Sequence, residues 1–299
     1  MDPRTLRIGR GLGPMLAPLV LALVLLANLL FMTVPTSGQV WAHYVGALYH
    51  QGDGSRYQWL NCTLANLTVA MDCASGGYWR VPASRLRVLS ADTSGGLTYD
   101  QIVALAPKAT ANEFHVTRLY FMPIGNLVDL LKAPRTVHIS ILCSVTIDTP
   151  FHTGTCVGRH NIGLYDYRVY SWTANGVHHT QEQVLVGDPG TRLDYRWWPL
   201  SLVLKAAQAS DRPGACHVWY GPDLEGVTRT ARLAIPLYAT PSLTAAHVGG
   251  LTPGNAEQVL STQAGPTWTY GGHTGNGWAR ITNAAGATGY VPGYALKAA

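Results

Sequence analysis

Three side chains of this 299-residue sequence have the types that nucleophilic acyl chemistry needs, in the order Cys62, His160 and Asp188. A thiolate attacks a carbonyl carbon, an imidazole protonates the leaving amine, and a carboxylate orients the imidazole. A hydrogen-bond donor must also stabilise the oxyanion, and the side chain of Gln51 or of Gln58 supplies one beside the backbone N–H of Cys62. The residues therefore predict a cysteine nucleophile that forms a thioester.

The segment around Cys62 predicts a helix that begins at the thiol. Apolar residues recur at helical spacing through residues 63–72, at Leu64, Leu67 and Met71. Unpaired N–H groups and the positive end of the helix dipole lower the pKa of a thiol at such a position. A small core residue or half of a disulfide is the alternative for Cys62.

A hairpin is predicted to bring the histidine and the carboxylate together. Residues 137–147 and 157–172 are strongly β-forming, and His160 lies near the start of the second run. The dipeptide Asn175-Gly176 then favours a tight turn into a returning strand that ends at Asp188. His160 and Asp188 are therefore expected at the same end of one sheet.

A second helix start is marked by the capping box Thr98-Tyr99-Asp100-Gln101. It follows Gly95 and Gly96, which permit close approach of the backbone either to a substrate or to a neighbouring element. We therefore include both glycines as candidate substrate-binding residues.

Other chemistry has less support in the sequence. The sequence has no H-E-x-x-H or C-x-x-C motif, so no metal or other cofactor is predicted, and His178 and His179 are interpreted as residues of the hairpin tip. The formal charge is +5, but residues 38–227 contain fourteen basic and fourteen acidic side chains. Without a dense basic stripe, nucleic acid is not an expected partner.

The N-terminal residues 1–37 predict export. Three arginines precede an apolar run of 18 residues that begins at Met15, and residues 11–41 contain no Asp, Glu, Lys or Arg. This pattern is typical of a signal peptide or of an uncleaved signal anchor, which would attach the protein to a membrane. Either alternative places the remaining chain outside the cell or in the cell envelope.

Five cysteines are an odd number, so at least one thiol stays unpaired. Cys143 and Cys156 are close enough in sequence to close a hairpin, which would leave Cys73 and Cys216 as a second pair. The other pairings of these four stay open.

Residues 38–208 resemble the C39-like cysteine peptidases of the papain-like superfamily. The matching segments are Tyr49-His50-Gln51, Asn61-Cys62-Thr63, His160 at a strand start and Val186-Gly187-Asp188-Pro189. The resemblance implies an α+β papain-like domain within residues 38–227, with Cys62, His160 and Asp188 as catalytic residues and Gln51 in the oxyanion hole. This chain has Cys62-Thr63-Leu64 where the family usually has Cys-Gly-Pro.

Residues 228–299 resemble a bacterial SH3-like (SH3b) domain, an all-β barrel. The resemblance rests on the segments Gly277-Trp278-Ala279-Arg280-Ile281 and Gly289-Tyr290-Val291. It implies binding of a cell-wall peptide or glycan, with Trp278 and Tyr290 as exposed stacking residues. The alternative is a small barrel that only packs on the catalytic domain.

Together these features predict an exported two-domain cysteine peptidase that hydrolyses an amide bond in a peptide or in peptidoglycan. An acyltransferase that uses the same three residues is an alternative. A catalytically inactive wall-binding or adhesion protein is the alternative from another class.

Overall fold

The computed structural model describes residues 48–49, 51, 60–92, 95–133, 135–142, 158–190, 195–207, 212–222, 224 and 227–298. The predicted export segment, His50, Gln58, Cys143 and Cys156 lie outside these residues. Among the helices that are described, none is long and apolar enough to cross a membrane.

Helices and antiparallel sheets are both extensive, so the fold class is α+β. The helices are α1 (Cys62–Ser75), α2 (Ala83–Ser90), α3 (Tyr99–Ala109), α4 (Leu127–Leu131) and α5 (Leu200–Ala207). The strands up to residue 222 are β1 (Thr117–Pro123), β2 (Arg135–Leu142), β3 (Arg159–Ala174), β4 (Val177–Gly187), β5 (Arg196–Pro199) and β6 (Ala215–Pro222). These six strands form one sheet in the order β1-β6-β2-β3-β4-β5.

Two hydrophobic clusters pack against this sheet. Leu127 of α4 and Val203 of α5 join apolar residues of the central strands, including Ile139 and Val218. A second cluster joins α1, α2 and α3 to the strands through Trp219, which is fully buried. The apolar spacing that predicted α1 is confirmed, because Leu64, Leu67 and Met71 have no exposed surface.

The predicted hairpin joins β3 to β4. Asn175 and Gly176 have φ angles of 51° and 75°, the left-handed backbone that a two-residue hairpin turn requires. The hairpin tip, residues 169–181, belongs to a different compact unit from the other described residues. Within the tip, the rings of Tyr170 and Trp172 stack with centroids 5.4 Å apart.

The predicted capping box at the start of α3 is also confirmed. The Gln101 N–H donates to Thr98 Oγ1 over 3.3 Å, and the Thr98 N–H donates to Gln101 Oε1 over 2.7 Å. Both bonds satisfy N–H groups that would otherwise be unpaired at the helix start. The two bonds define the start of α3, which follows Gly95 and Gly96 in the chain.

A second sheet begins at Thr228. Its strands are β7 (Thr228–Ala231), β8 (Ile235–Tyr238), β9 (His247–Leu251), β10 (Ala256–Tyr270), β11 (His273–Thr282), β12 (Thr288–Pro292) and β13 (Leu296–Ala298). Their order is β13-β7-β10-β11-β12-β8-β9, and the pairs are antiparallel. The buried residues of this sheet form their own apolar cluster around Val259, Ile281 and Val291.

The C-terminal end of α1 contacts this second sheet through glycine backbones. Gly76, with a φ of 59°, ends α1, and its carbonyl accepts a hydrogen bond from the Gly277 N–H over 3.0 Å. A Cβ on Gly277 would lie 2.5 Å from Gly76 Cα, and a Cβ on Gly76 would lie 2.7 Å from Gly293 Cα. Nearby, Arg80 donates both to Asp72 of α1 and to Asn276 of β11.

Candidate active site

Cys62 is the first residue of α1, as the sequence predicted. The residue before it, Asn61, makes no side-chain cap, and the first turn of α1 contains no acidic residue. The thiol is half-buried and unpaired. Its position therefore exposes the sulfur to the N–H groups and the positive dipole of the helix start, which stabilise a thiolate.

His160 and Asp188 are hydrogen-bond neighbours, as the hairpin predicted. The distance from His160 Nε2 to Asp188 Oδ1 is 2.6 Å, and both side chains are buried. His160 is the second residue of β3, and Asp188 follows the last residue of β4. The antiparallel hairpin thus closes a long sequence separation at one end of the sheet.

The turn after β4 holds the Asp188 carboxylate in place. The Gly190 N–H donates to Asp188 Oδ1 over 2.7 Å. A Cβ on Gly190 would lie 3.1 Å from that oxygen and 3.3 Å from His160 Cε1, so a larger residue would crowd the pair. The Gln51 N–H donates to the carbonyl of Pro189 over 2.9 Å, which brings the segment of Gln51 to the same turn.

The Cys62 thiol and the His160 imidazole change each other's charge state. Burial alone would raise the pKa of Cys62, but a hydrogen bond and the positive charge of His160, with a further bond from the backbone of Asn161, lower it. Burial alone would lower the pKa of His160, but hydrogen bonds to Asp188 and Cys62 and their negative charges raise it. These opposite shifts favour a thiolate–imidazolium pair. Because Nε2 bonds to Asp188, Nδ1 is the ring nitrogen that remains for Cys62.

The other described thiols have different surroundings. Cys73 and Cys216 are both buried and form no disulfide with each other, so the alternative that paired them does not hold. Burial raises the pKa of Cys216 to about 11, and its thiol lies 3.6 Å from the carbonyl of Met122. Cys216 therefore remains a neutral thiol at neutral pH.

Gln51 is buried near this turn, with 6% of its surface exposed. Its Oε1 atom accepts no hydrogen bond from the described residues. The structure thus brings Gln51 to the turn that contains Asp188, while its role in the oxyanion hole stays a prediction. The competing donor, Gln58, lies outside the described residues.

Gly95 and Gly96 lie beside the loop that leads into Cys62. Arg87 Nη1 donates to the Gly95 carbonyl over 2.7 Å, and its Nη2 donates to Asn61 Oδ1 over the same distance. Arg87 is buried, with 8% of its surface exposed. It also donates to the carbonyl of Leu60. This guanidinium fixes the nucleophile's loop, a role that the sequence did not indicate. The glycines themselves remain predicted substrate-binding residues.

Trp278 does not present a stacking surface. Its side chain is fully buried, and its Nε1 donates to the Pro266 carbonyl over 2.9 Å. Tyr290 is half-buried and packs against the cluster that includes Trp278 and Tyr294. The prediction that Trp278 is exposed is therefore wrong, because the ring fills the core beneath the second sheet.

Two buried asparagines beside the site were also missed. Asn66 of α1 donates through Nδ2 to the carbonyl of Asn161 over 2.8 Å and to its Oδ1 over 2.9 Å. In sequence the signal was present but weak, since Asn66 interrupts an apolar helix one turn after Cys62, and Asn161 follows His160 directly.

Within the described residues, no three His, Cys, Asp or Glu side chains lie together as a metal site would require. The chain matches no protein-family model and no curated protein. A proposal of function therefore depends on the sequence and on the geometry of the site.

Proposed function

We propose that this protein is an exported cysteine peptidase that hydrolyses an amide bond in a peptide or in peptidoglycan through a Cys62 thioester. The observation that carries the proposal is the helix-start thiol of Cys62 beside an imidazole that is hydrogen-bonded to Asp188. We assign residues 38–227 to a papain-like domain and residues 228–299 to an SH3-like one. An α-helix that begins at the nucleophile and an antiparallel sheet that carries the histidine support this assignment.

The first half of the reaction breaks the amide. The Sγ of Cys62 attacks the carbonyl carbon, a C–S bond forms, and the carbonyl electron pair moves onto oxygen. The backbone N–H of Cys62 and an amide N–H of Gln51 are the proposed donors to this oxyanion. His160 then gives the proton of its Nδ1 to the departing nitrogen, the C–N bond breaks, and the amine leaves.

The second half returns the enzyme to its starting state. His160 takes a proton from a water molecule, whose oxygen attacks the thioester carbon, and the C–S bond breaks to release an acid. Asp188 stabilises the charged imidazole and fixes the orientation of its ring. An amine in place of water would give acyl transfer by the same steps, so the product distinguishes the two reactions.

The location and the wall-binding role rest on sequence. The basic and apolar N-terminal segment supports export, to the outside of the cell or to its envelope, with membrane attachment if the segment is retained. The resemblance of residues 228–299 supports wall binding, and Tyr270 supplies an aromatic ring that is 42% exposed on the second sheet. Its stacking on Tyr294, with centroids 4.6 Å apart, holds this ring in a fixed orientation.

The proposal is tested by incubating the purified protein with a peptide library and with purified peptidoglycan, followed by mass spectrometry of the products. We expect new carboxyl termini from the native protein and none from Cys62→Ala at equal folded concentration. Products that carry an added amine would indicate acyl transfer instead. Binding to peptidoglycan by both proteins, without any product from either, would favour the wall-binding alternative and overturn the catalytic one.

A further inference from the structure

A buried asparagine connects the nucleophile's helix to the histidine's strand. Asn66 lies one helical turn after Cys62, and none of its surface is exposed. The two N–H groups of its amide donate to the main-chain and side-chain oxygens of Asn161, at 2.8 and 2.9 Å. Asn161 directly follows His160 on β3. The bridge therefore joins the two elements close to the two reacting side chains.

Asn161 transmits this connection to the thiol and to α3. A hydrogen bond from its backbone helps to lower the pKa of Cys62. Its side-chain Nδ2 donates to the hydroxyl of Tyr99 over 3.1 Å, and that hydroxyl in turn donates to the His217 carbonyl over 3.4 Å. Asn161 of β3 is thus linked directly to α1 and α3, and Tyr99 extends the connection to His217 of β6.

Burying the amide of Asn66 at this position carries an unfavourable desolvation free energy. Its neighbours on α1, Leu64 and Leu67, are fully buried, and an apolar side chain would fill the space without desolvating an amide. The Oδ1 atom of Asn66 accepts no hydrogen bond from the described residues. A buried amide that uses only its donors needs an explanation beyond packing.

We propose that Asn66 is a positioning residue whose amide holds Asn161, and with it His160, against the helix start that carries Cys62. This inference rests on the proposed function, since it concerns the same thiol and imidazole. Because none of its surface is exposed, Asn66 acts through Asn161 and not through a contact with the substrate. Without its two donors, the backbone of Asn161 and the ring of His160 lose their fixed distance from the sulfur.

The test measures the rate at which iodoacetamide alkylates Cys62 across a pH series, by mass spectrometry of the native-length protein. Asn66→Leu removes both donors and keeps the number and branching of the side-chain heavy atoms. We expect its alkylation profile to move to higher pH, with a rate at pH 6 about tenfold lower. This is roughly the effect of losing one hydrogen bond to the Cys62 thiolate, the bond from the backbone of Asn161. The matched control is Thr68→Val on the same helix, which loses a part-buried hydrogen bond of 2.6 Å to the Val81 carbonyl, away from β3.

The thermal unfolding midpoint of each variant measures its loss of stability, so that a change in the alkylation profile can be compared between variants that are equally destabilised. A profile that moves equally in Thr68→Val and Asn66→Leu, at equal loss of stability, would overturn the inference. If Asn66→Leu does not fold, Asn161→Ala removes one acceptor of the bridge and is expected to move the profile in the same direction. An unchanged profile in that folded variant would likewise overturn it.

The same experiment separates the inference from the proposed function. An ordinary thiol profile for Cys62 in the native protein, with a midpoint near roughly pH 8.5, would contradict the proposed function itself. A low midpoint in the native protein that is unchanged in Asn66→Leu would contradict the role of Asn66 alone.

Discussion

Asp188 Oδ1 lies 2.6 Å from His160 Nε2, although 28 residues separate them in sequence. The contact exists because β3 and β4 form a hairpin, so that the last residue of β4 returns to the end of the sheet where β3 begins. The same oxygen accepts the Gly190 N–H. Asp188 is therefore fixed by its own turn, and it can orient the imidazole without contacting a substrate.

Substitution of Asp188 by asparagine is expected to reduce turnover less than removal of His160. His160→Ala removes the proton carrier, which is typically worth about 10²- to 10⁴-fold in rate. In Asp188→Asn an amide oxygen still accepts the imidazole N–H, but the lost negative charge lowers the pKa of His160. The basic limb of the pH–rate profile should move to lower pH, because the imidazolium deprotonates earlier. An equal loss in both variants would contradict this division of roles.

Labelling of the described thiols is expected to be selective. At pH 6, a thiol probe should modify Cys62 before Cys216, because burial raises the pKa of Cys216 to about 11 while the pKa of Cys62 is lowered. Peptide mapping of the labelled native protein provides the measurement. Cys216→Ala should leave the labelling of Cys62 unchanged and lower the free energy of unfolding, since it removes a buried sulfur. Preferential labelling of Cys216 would show that the nucleophile is misassigned.

His138 is expected to limit stability in acid. Its ring is fully buried, stacks on Trp219 with centroids 3.8 Å apart, and makes no hydrogen bond with the described residues. Burial lowers the pKa of His138 well below its usual value, so the unfolded chain binds a proton that the folded chain does not. Stability should therefore fall as the pH drops below about 6.5, by up to about 1.4 kcal/mol per pH unit for this group.

His138→Phe retains a ring in this stack and removes the titration. Acid unfolding followed by circular dichroism should show a midpoint at lower pH in this variant, with little change at pH 8. The exposed histidine His178, changed to Phe, is the matched control and should leave the midpoint in place. The same acid midpoint in native protein and His138→Phe would contradict the prediction.

The contact of Gly76 with Gly277 is expected to couple α1 to the second sheet. Gly277→Ala places a methyl group 2.5 Å from Gly76 Cα, so the backbones must separate, at a cost of about 1–3 kcal/mol in the free energy of unfolding. Gly250→Ala in the same sheet is the control, because its Cβ would meet only the Ile235 carbonyl at 3.7 Å. Urea unfolding of both variants measures the difference. Equal stability of the two variants would contradict a coupling of α1 to the second sheet through this contact.

The features of this structure that depend on residues close in sequence could be predicted. Helical spacing placed Cys62 at the start of α1, the Asn175-Gly176 dipeptide gave the turn of the hairpin, and the capping box gave the start of α3. Each of these signals depends on residues a few positions apart. Once the hairpin is given, the proximity of His160 and Asp188 follows from the antiparallel register.

The remaining features depend on contacts between distant segments. Asn66 meets Asn161 across 95 residues, and the Asn61 side chain meets Arg87 across 26. A polar residue in an apolar helix indicates that some partner exists, but it does not identify that partner. Likewise, the number of cysteines did not reveal that Cys73 and Cys216 form no disulfide with each other, and the identity of Trp278 did not reveal its burial.

The most direct test of the central claim is the pH titration of the Cys62 thiolate, measured as the ultraviolet absorbance difference between native protein and Cys62→Ser. We expect the thiolate signal to be present well below roughly pH 8.5, the ordinary thiol value, and to move to higher pH in His160→Ala. A Cys62 signal that appears only near the ordinary value, and that is the same with or without His160, would contradict the thiolate–imidazolium pair and with it the proposed peptidase.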